Sequence, residues 1–337
     1  MVESRPRSVN AVFFATDGSS SIVAAGLLLF DFELHRRCHQ TMSTEEPPAN
    51  FEPQQTVRLL VTCADRPGIV ATISNFLYNH GANITALDQH STDPTGGTFF
   101  MRVEFQLPHA DLPASVLERS FQRAVADDYD MDWRISDVSE VKNTALFVSK
   151  YDHALLELLW RWSRDELPTE VTMVVSNHPD LEEAVEGFDI PYYHVPVEKG
   201  HKEEAEAEML ELLEGRADLI VLARYMQILT EDFVDRYRNQ IINIHHSFLP
   251  AFVGAGPYRK AKERGVKLIG ATAHYVTETL DAGPIIEQDV IRVSHRQSVD
   301  DLKERGASIE RDVLARAVKW HLEDRIIVHE NRTVVFV

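Results

Sequence analysis

The chain has 337 residues, 44% hydrophobic and 26% charged, a balance ordinary for soluble globular proteins that excludes wholesale disorder. Its 53 acids outnumber 34 bases for a formal net charge of -19, which repels phosphate backbones and excludes a general nucleic-acid binder. Cys38 and Cys63 are the only cysteines, which excludes a disulfide framework or Cys-rich zinc site, and no apolar run approaches the roughly 18 residues of a membrane span. At roughly 150 residues per domain, the length predicts two domains of mixed α/β character in a cytoplasmic protein. Of the bases, 9 are Lys and 25 are Arg, with no Lys before Lys142. Adaptation to high salt and a coding bias toward Arg account for that skew equally well.

Residues 1–50 do not read as a domain. Arg5 and Arg7 precede an apolar stretch from Ile22 to Phe30 that imitates a signal peptide. Asp31, Glu33, Arg36 and Arg37 follow at once, with no small-x-small cleavage site. The acidic stretch Ser43-Thr44-Glu45-Glu46-Pro47-Pro48 reads as a flexible tail. Met42 is therefore the expected true start, with residues 1–41 an over-extended reading frame.

Regular signals begin at Thr56. Val57-Arg58-Leu59-Leu60-Val61-Thr62 alternates and is β-rich, and Asp65-Arg66-Pro67-Gly68 breaks the strand. Ile69, Ile73, Phe76 and Leu77 share one face of a predicted helix that Gly81 stops. Ala82 to His90 and Thr98 to Leu107 read as strands joined by the turn Asp93-Pro94-Thr95-Gly96-Gly97. Leu112 to Val125 reads as a second helix and Met131 to Ile135 as a fourth strand. The order is βαββαβ, a ferredoxin-like split fold.

The segment Thr62 to Val70, followed by Gly81-Ala82-Asn83-Ile84, resembles the ACT domain family across residues 56–137. Gly68 lets a ligand or backbone approach a helix N-terminus, whose free N–H groups suit a carboxylate. The resemblance implies a homo-oligomer and a small amino-acid effector, with Asp65, Gly68 and Asn83 as ligand or interface residues. A module that only dimerises is the alternative.

From Thr144 strands and helices alternate. Strands are predicted at Ala145 to Ser149, Glu170 to Val175, Leu219 to Ala223 and Ile241 to Ile244, with helices at Leu155 to Trp162, Glu203 to Glu214 and Glu231 to Tyr237. Continuous apolar strands in that alternation predict a mostly parallel, doubly wound sheet with ligands beyond its carboxyl ends. Asn243 and His245 lie two apart in Ile242-Asn243-Ile244-His245-His246-Ser247-Phe248-Leu249-Pro250, so on a strand they share a face. Their N–H groups suit a developing oxyanion. A further strand, Gly270 to Val276, leads to Asp281 in a Gly/Pro-bounded loop that can aim a carboxylate.

Together these motifs resemble the folate-dependent formyltransferase family over residues 145–293. By that resemblance Asn243, His245 and Asp281 form the catalytic trio. Arg224, Met226, Gln227, Ile228 and Leu229 line the pterin site, with Gln227 where many members have Arg, and His274 borders it. Transferases that act on glycinamide ribonucleotide carry a Gly-Ser-Asn-rich phosphate cradle after their first strand. Here that turn reads Val148-Ser149-Lys150-Tyr151-Asp152-His153, without glycine and with an added carboxylate, which makes a phosphate cradle implausible. With an ACT-like module in front, the resemblance is to the hydrolytic branch, in which water attacks the formyl group of 10-formyltetrahydrofolate. Asn243 and His245 would stabilise the oxyanion while Asp281 orients or deprotonates the water, and no cofactor is needed beyond the folate substrate. Formate supply for purine synthesis and one-carbon balance are the implied roles, and formyl transfer to an amine is the alternative. A catalytically dead amino-acid sensor is opposed by the intact trio.

A zinc site built from His245, His246, His274 and Asp281 lacks any His-x-x-x-His or His-Glu-x-x-His signature, so no metal is expected. His246 reads as a structural histidine, Gly254-Ala255-Gly256-Pro257 as a loop, and the run Glu203 to Glu208 as a solvated helix face. After Ser294, a long helix containing Ile309, Val313, Leu314 and Val318 and a hairpin from Ile326 to Phe336 are expected to complete the domain without extra chemistry. The expected division is an extension at 1–50, an ACT-like domain at 56–137 and a catalytic domain at 143–337.

Overall fold

The computed structural model describes residues 55–93, 95–108, 114–251 and 256–337. The expectations for residues 1–50, for the helix start at Leu112 and for Gly254-Ala255 lie outside those residues. The first half runs β1 (Gln55–Ala64), α1 (Ile69–Asn79), β2 (Asn83–Ser91), β3 (Thr98–Leu107), α2 (Ala114–Phe121) and β4 (Asp132–Asp137). The four strands form an antiparallel sheet in the order β2-β3-β1-β4, the ferredoxin-like arrangement expected. The second helix departs from α-geometry at Gln122–Ala126, which forms a π-helical turn.

Alternation along β1 and β3 explains the core. Val57, Leu59, Val61 and Cys63 point to the same side as Phe99, Met101, Val103, Phe105 and Leu107. There they meet the apolar stripe of α1, whose buried residues are Ile69, Ile73, Phe76 and Leu77. Each fully buried side chain of this size contributes about 1.5–3 kcal/mol.

The second half contains β5 (Lys142–Val148), α3 (His153–Trp162), β6 (Thr169–Ser176), α4 (Glu182–Glu186), β7 (Tyr192–His194), α5 (Lys202–Leu213), β8 (Leu219–Leu222), α6 (Glu231–Arg236), β9 (Ile241–His245), α7 (Pro257–Arg264), β10 (Leu268–Tyr275), β11 (Ile285–Arg292), α8 (Val299–Leu322), β12 (Ile326–His329) and β13 (Arg332–Val335). Seven strands form one sheet in the order β11-β10-β9-β8-β5-β6-β7. The pairs β5–β6, β5–β8, β6–β7 and β8–β9 are parallel, while β9–β10 and β10–β11 are antiparallel. Both faces are covered, and successive residues of one strand serve opposite cores. Leu146 and Val148 pack with α3 and α8, whereas Ala145 and Phe147 pack with α5 and α6. Two-sided burial is why these strands read as continuous apolar runs.

The hairpin β12–β13 leaves this sheet and packs Ile327 and Phe336 against Leu60 and Phe100, on the outer face of the four-stranded sheet. An ion cluster closes the same junction. Asp324, 2% exposed, receives Lys142 Nζ at 2.7 Å, Arg134 Nη2 at 3.1 Å and the Ser136 hydroxyl at 2.9 Å, with Arg58 at 3.6 Å. Burial opposes the charge on Asp324, and the cations around it outweigh burial and hold its pKa low.

The acidic run on α5 is only partly a solvated face. Glu203 and Glu204 are exposed, but Glu206 is buried and accepts hydrogen bonds from the backbone N–H and the hydroxyl of Thr230, the N-cap of α6. Glu206 falls on the same helical stripe as Met209 and Leu213, so helix geometry turns this acid inward. Among the described residues, no helix is long and apolar enough to cross a membrane.

Candidate active site

The carboxyl ends of β5, β8 and β9 lie side by side, because Phe147 pairs with Leu222 and Leu222 with Asn243. The turns that follow, with the loop after β10, enclose a cavity of about 220 Å³. Its lining includes Asn243, His245, Asp281, Arg224, Met226, Gln227, Ile228, Leu229 and His274, every residue expected from sequence for the catalytic and folate sites.

Asn243 and His245 share a face at the end of β9, and the loop after β10 brings Asp281 to them. Gly283 permits that loop, since a Cβ there would lie 1.9 Å from the Tyr275 carbonyl oxygen. Asp281 itself has a positive φ of 55°, a conformation that Asp tolerates better than most residues. Its Oδ1 stands 3.2 Å from His245 Nδ1. With the Nδ1–H directed at the carboxylate, Nε2 is the acceptor nitrogen of the ring. His245 Nε2 is buried without a hydrogen-bond partner.

His274 fixes the neighbouring amide. Its Nδ1–H donates to the Tyr275 carbonyl at 2.9 Å, so its Nε2 accepts from Asn243 Nδ2 at 3.2 Å. Burial lowers the His274 pKa, against the backbone hydrogen bond and the Asp281 charge, and keeps the ring neutral. One N–H of Asn243 is spent on His274, which leaves the other for a ligand oxygen. From Tyr275 the network continues, because its hydroxyl hydrogen-bonds to His321 Nδ1 at 2.7 Å. Burial and the charges of Lys142 and Arg134 push His321 down to about 3.

Next to the Arg224–Met226 lining stand buried polar residues that sequence reasoning missed. Ser149, 2% exposed, donates to Asn177 Oδ1 at 2.7 Å and accepts from the Met226 N–H at 2.9 Å. It ties the turn after β5 to the segment that begins at Arg224. Glu310 on α8 accepts from Tyr258 at 2.6 Å and His153 at 2.9 Å, and Arg224 Nε lies 3.5 Å away. Burial would raise the Glu310 pKa, but the His153 hydrogen bond and the Arg224 charge hold it down at about 2. The segment after Ser294 therefore supplies a buried carboxylate beside Arg224. The missed signal is an acid on the apolar stripe of α8, in register with Gly306, Val313 and Ala317. The His246 ring makes tilted contacts with His245 and Tyr258. Burial and the Arg224 cation push its pKa down to about 4.

In the N-terminal sheet, Asp65 and Gly68 stand together at the start of α1, where Asp65 accepts from the Ser91 hydroxyl at 2.5 Å. Asn83 lies at the opposite end of β2 from Ser91, roughly 26 Å away along the strand at ~3.3 Å per residue. One chain does not bring these three residues together.

A doubly wound sheet with an Asn–His–Asp cluster at its carboxyl edge, behind a βαββαβ module, defines an ACT-containing member of the formyl-transfer enzymes. The formyl transferase family model matches residues 142–318 and the ACT domain model residues 57–117. The formyltetrahydrofolate deformylases of Mycobacterium tuberculosis H37Rv and Bacillus subtilis 168 are each 56% identical, covering 83% of this chain and 90% and 93% of theirs. A deformylase structure from Pseudomonas syringae pv. tomato DC3000 aligns with TM-score 0.81 at 49% identity, over 90% of this chain and 100% of its own. Glycinamide ribonucleotide transformylase 1 from Symbiobacterium toebii aligns with TM-score 0.56 at 28% identity, over 58% and 95%. The chain belongs to the formyltetrahydrofolate deformylase family.

Proposed function

We propose that the protein hydrolyses 10-formyltetrahydrofolate to tetrahydrofolate and formate, with Asn243, His245 and Asp281 as the catalytic residues. The observation that carries the assignment is the uncommitted His245 Nε2, backed by Asp281 and set beside an amide that His274 orients. The formyl carbon sits against Nε2 and Asn243. Water attacks, a C–O bond forms, and its proton passes to His245 Nε2 while Asp281 partners the resulting imidazolium. The negative charge on the former formyl oxygen is met by the remaining Asn243 N–H. The C–N10 bond then breaks, His245 returns the proton to N10, and formic acid loses its own proton to solvent. This route needs folate and water alone.

Arg224, Met226, Gln227, Ile228 and Leu229 line the pterin side, supported by the exposure of Met226 and Ile228 in the lining of the cavity. The reading also divides the chain into regulatory residues 56–137 and catalytic residues 143–337, in a cytoplasmic homo-oligomer that responds to a small amino acid. Purine synthesis and one-carbon folate balance are its context. Asn243→Ala and Asp281→Ala are each expected to lower kcat about 100- to 1000-fold with an unchanged circular dichroism spectrum. Near-normal turnover in both variants would remove the assignment.

A further inference from the structure

We propose that Ser149 and Glu206 are positioning residues for substrate binding: from outside the catalytic cavity they clamp the backbone at the two ends of its apolar wall, Met226 to Leu229, and so set how tightly folate is held. This inference rests on the hydrolytic reading above and adds to it the residues that keep the wall open.

The wall begins just after β8. Arg224, with a φ of +66°, turns the chain out of the strand, and the Tyr225 ring packs edge-on against Phe147, with ring centroids 5.3 Å apart. From there to Thr230 the chain is neither helix nor strand, and among the described residues Tyr225 to Leu229 make no backbone–backbone hydrogen bond. Met226 is 53% exposed and Ile228 59% exposed, both in the cavity lining. The hydrophobic effect favours folding such side chains down onto the core. A backbone without a ladder offers little resistance to that collapse. Something else therefore holds the wall open.

Two buried side chains do so, and neither lines the cavity. At one end the Met226 N–H donates to the Ser149 hydroxyl oxygen at 2.9 Å, and that hydroxyl donates to Asn177 Oδ1 at 2.7 Å. The Asn177 acceptor fixes the hydroxyl hydrogen, which leaves the oxygen lone pairs for Met226. At the other end the Thr230 N–H donates to Glu206 Oε1 at 3.1 Å, and the Thr230 hydroxyl donates to Glu206 Oε2. Ser149 is 2% exposed and Glu206 5% exposed. Burying a hydroxyl and a carboxylate is costly unless they are hydrogen-bonded. Here the bonds fall on the two ends of one short wall. The ends of β5 and β6 and the middle of α5 thus grip a segment that has no ladder of its own.

The clamp has its own kinetic signature. Without it the wall divides its time between open and collapsed forms, and substrate binds only the open one. Apparent affinity then falls in proportion to the open fraction. Once substrate is bound the wall is open again, so the Asn243–His245–Asp281 cluster works at its normal rate. Loss of a clamp residue therefore raises KM and spares kcat.

The test uses the full chain, with formate release from 10-formyltetrahydrofolate for KM and kcat and equilibrium dialysis of tetrahydrofolate for binding. Ser149→Ala and Glu206→Ala are each expected to raise KM, and the Kd for tetrahydrofolate, about tenfold, the affinity equivalent of one ordinary hydrogen bond. In both, kcat is expected to stay within about twofold of wild type. Glu206→Gln keeps an acceptor oxygen for Thr230 and is expected to hold KM and Kd within about twofold of wild type. Ser149→Ala removes a single atom and tests the clamp even where Glu206→Ala fails to fold. KM and Kd unchanged in folded Ser149→Ala, or a fall in kcat alone in either variant, overturns the inference and leaves hydrolysis intact. Absence of formate from wild type in amine-free buffer overturns the hydrolytic reading instead, and the tetrahydrofolate constants then decide the inference on their own.

Discussion

Two clusters built on the buried carboxylates of Asp324 and Asp281 differ in what they leave unpaired. At the junction of the two sheets, Asp324 meets Lys142, Arg134, Arg58 and Ser136, and none of these side chains has a buried atom without a partner. At the cavity, His245 takes Asp281 on one nitrogen and leaves the other empty. Among the described residues, four buried side-chain atoms lack a hydrogen-bond partner, and three of them belong to His245 and Arg224, both lining the cavity. Buried polar groups are normally satisfied because an unmet one is costly. A cluster that is complete holds structure together, and one left incomplete waits for a ligand.

The comparison is sharpest in the response to losing each carboxylate. Asp324→Ala strands cations that cannot all shed their charge, and is expected to cost about 3–5 kcal/mol of unfolding free energy, read as a lower denaturant midpoint. Asp281→Asn keeps an amide oxygen within reach of His245 Nδ1, so its stability cost is expected to stay within about 1 kcal/mol while turnover collapses. Equal stability losses in the two variants would erase the distinction.

A smaller effect comes from acid. His246 and His321 are neutral in the fold, with pKa values near 4 and 3 against an ordinary 6.5, so between those values and 6.5 only the unfolded chain binds the proton. Stability therefore falls as pH drops below about 6.5. Glu310 is shifted in the same direction, and its contribution is present above its ordinary 4.5 and is lost as pH falls toward about 2. Thermal midpoints measured from pH 7.5 to 4 should decline steadily from near 6.5, and a flat profile down to pH 5 would contradict these protonation states.

What the sequence made legible follows the same physical line. The βαββαβ order was readable because β1 and β3 alternate in period two and α1 keeps its four apolar residues on one stripe. The parallel strands were readable as apolar runs, and Asn243, His245 and Asp281 were readable from local motifs. The strand β7, three residues long, is too short to show any period. The strand β11, Ile285-Ile286-Glu287-Gln288-Asp289-Val290-Ile291-Arg292, carries a polar block in its middle, and α7 begins at the proline of a Gly-Pro pair that reads as loop. Glu310 and Asp324 escaped for a different reason. Their partners lie about 50 to 270 residues earlier in the chain, so only the folded arrangement shows what they hold.

The most direct test of the central claim is to run the reaction in amine-free buffer made with ¹⁸O-water and to weigh the formate formed. Attack by water at the Asn243–His245–Asp281 cluster predicts one formate per tetrahydrofolate, each carrying a single solvent oxygen. Formate without solvent oxygen, or no formate until an amine is supplied, would contradict it.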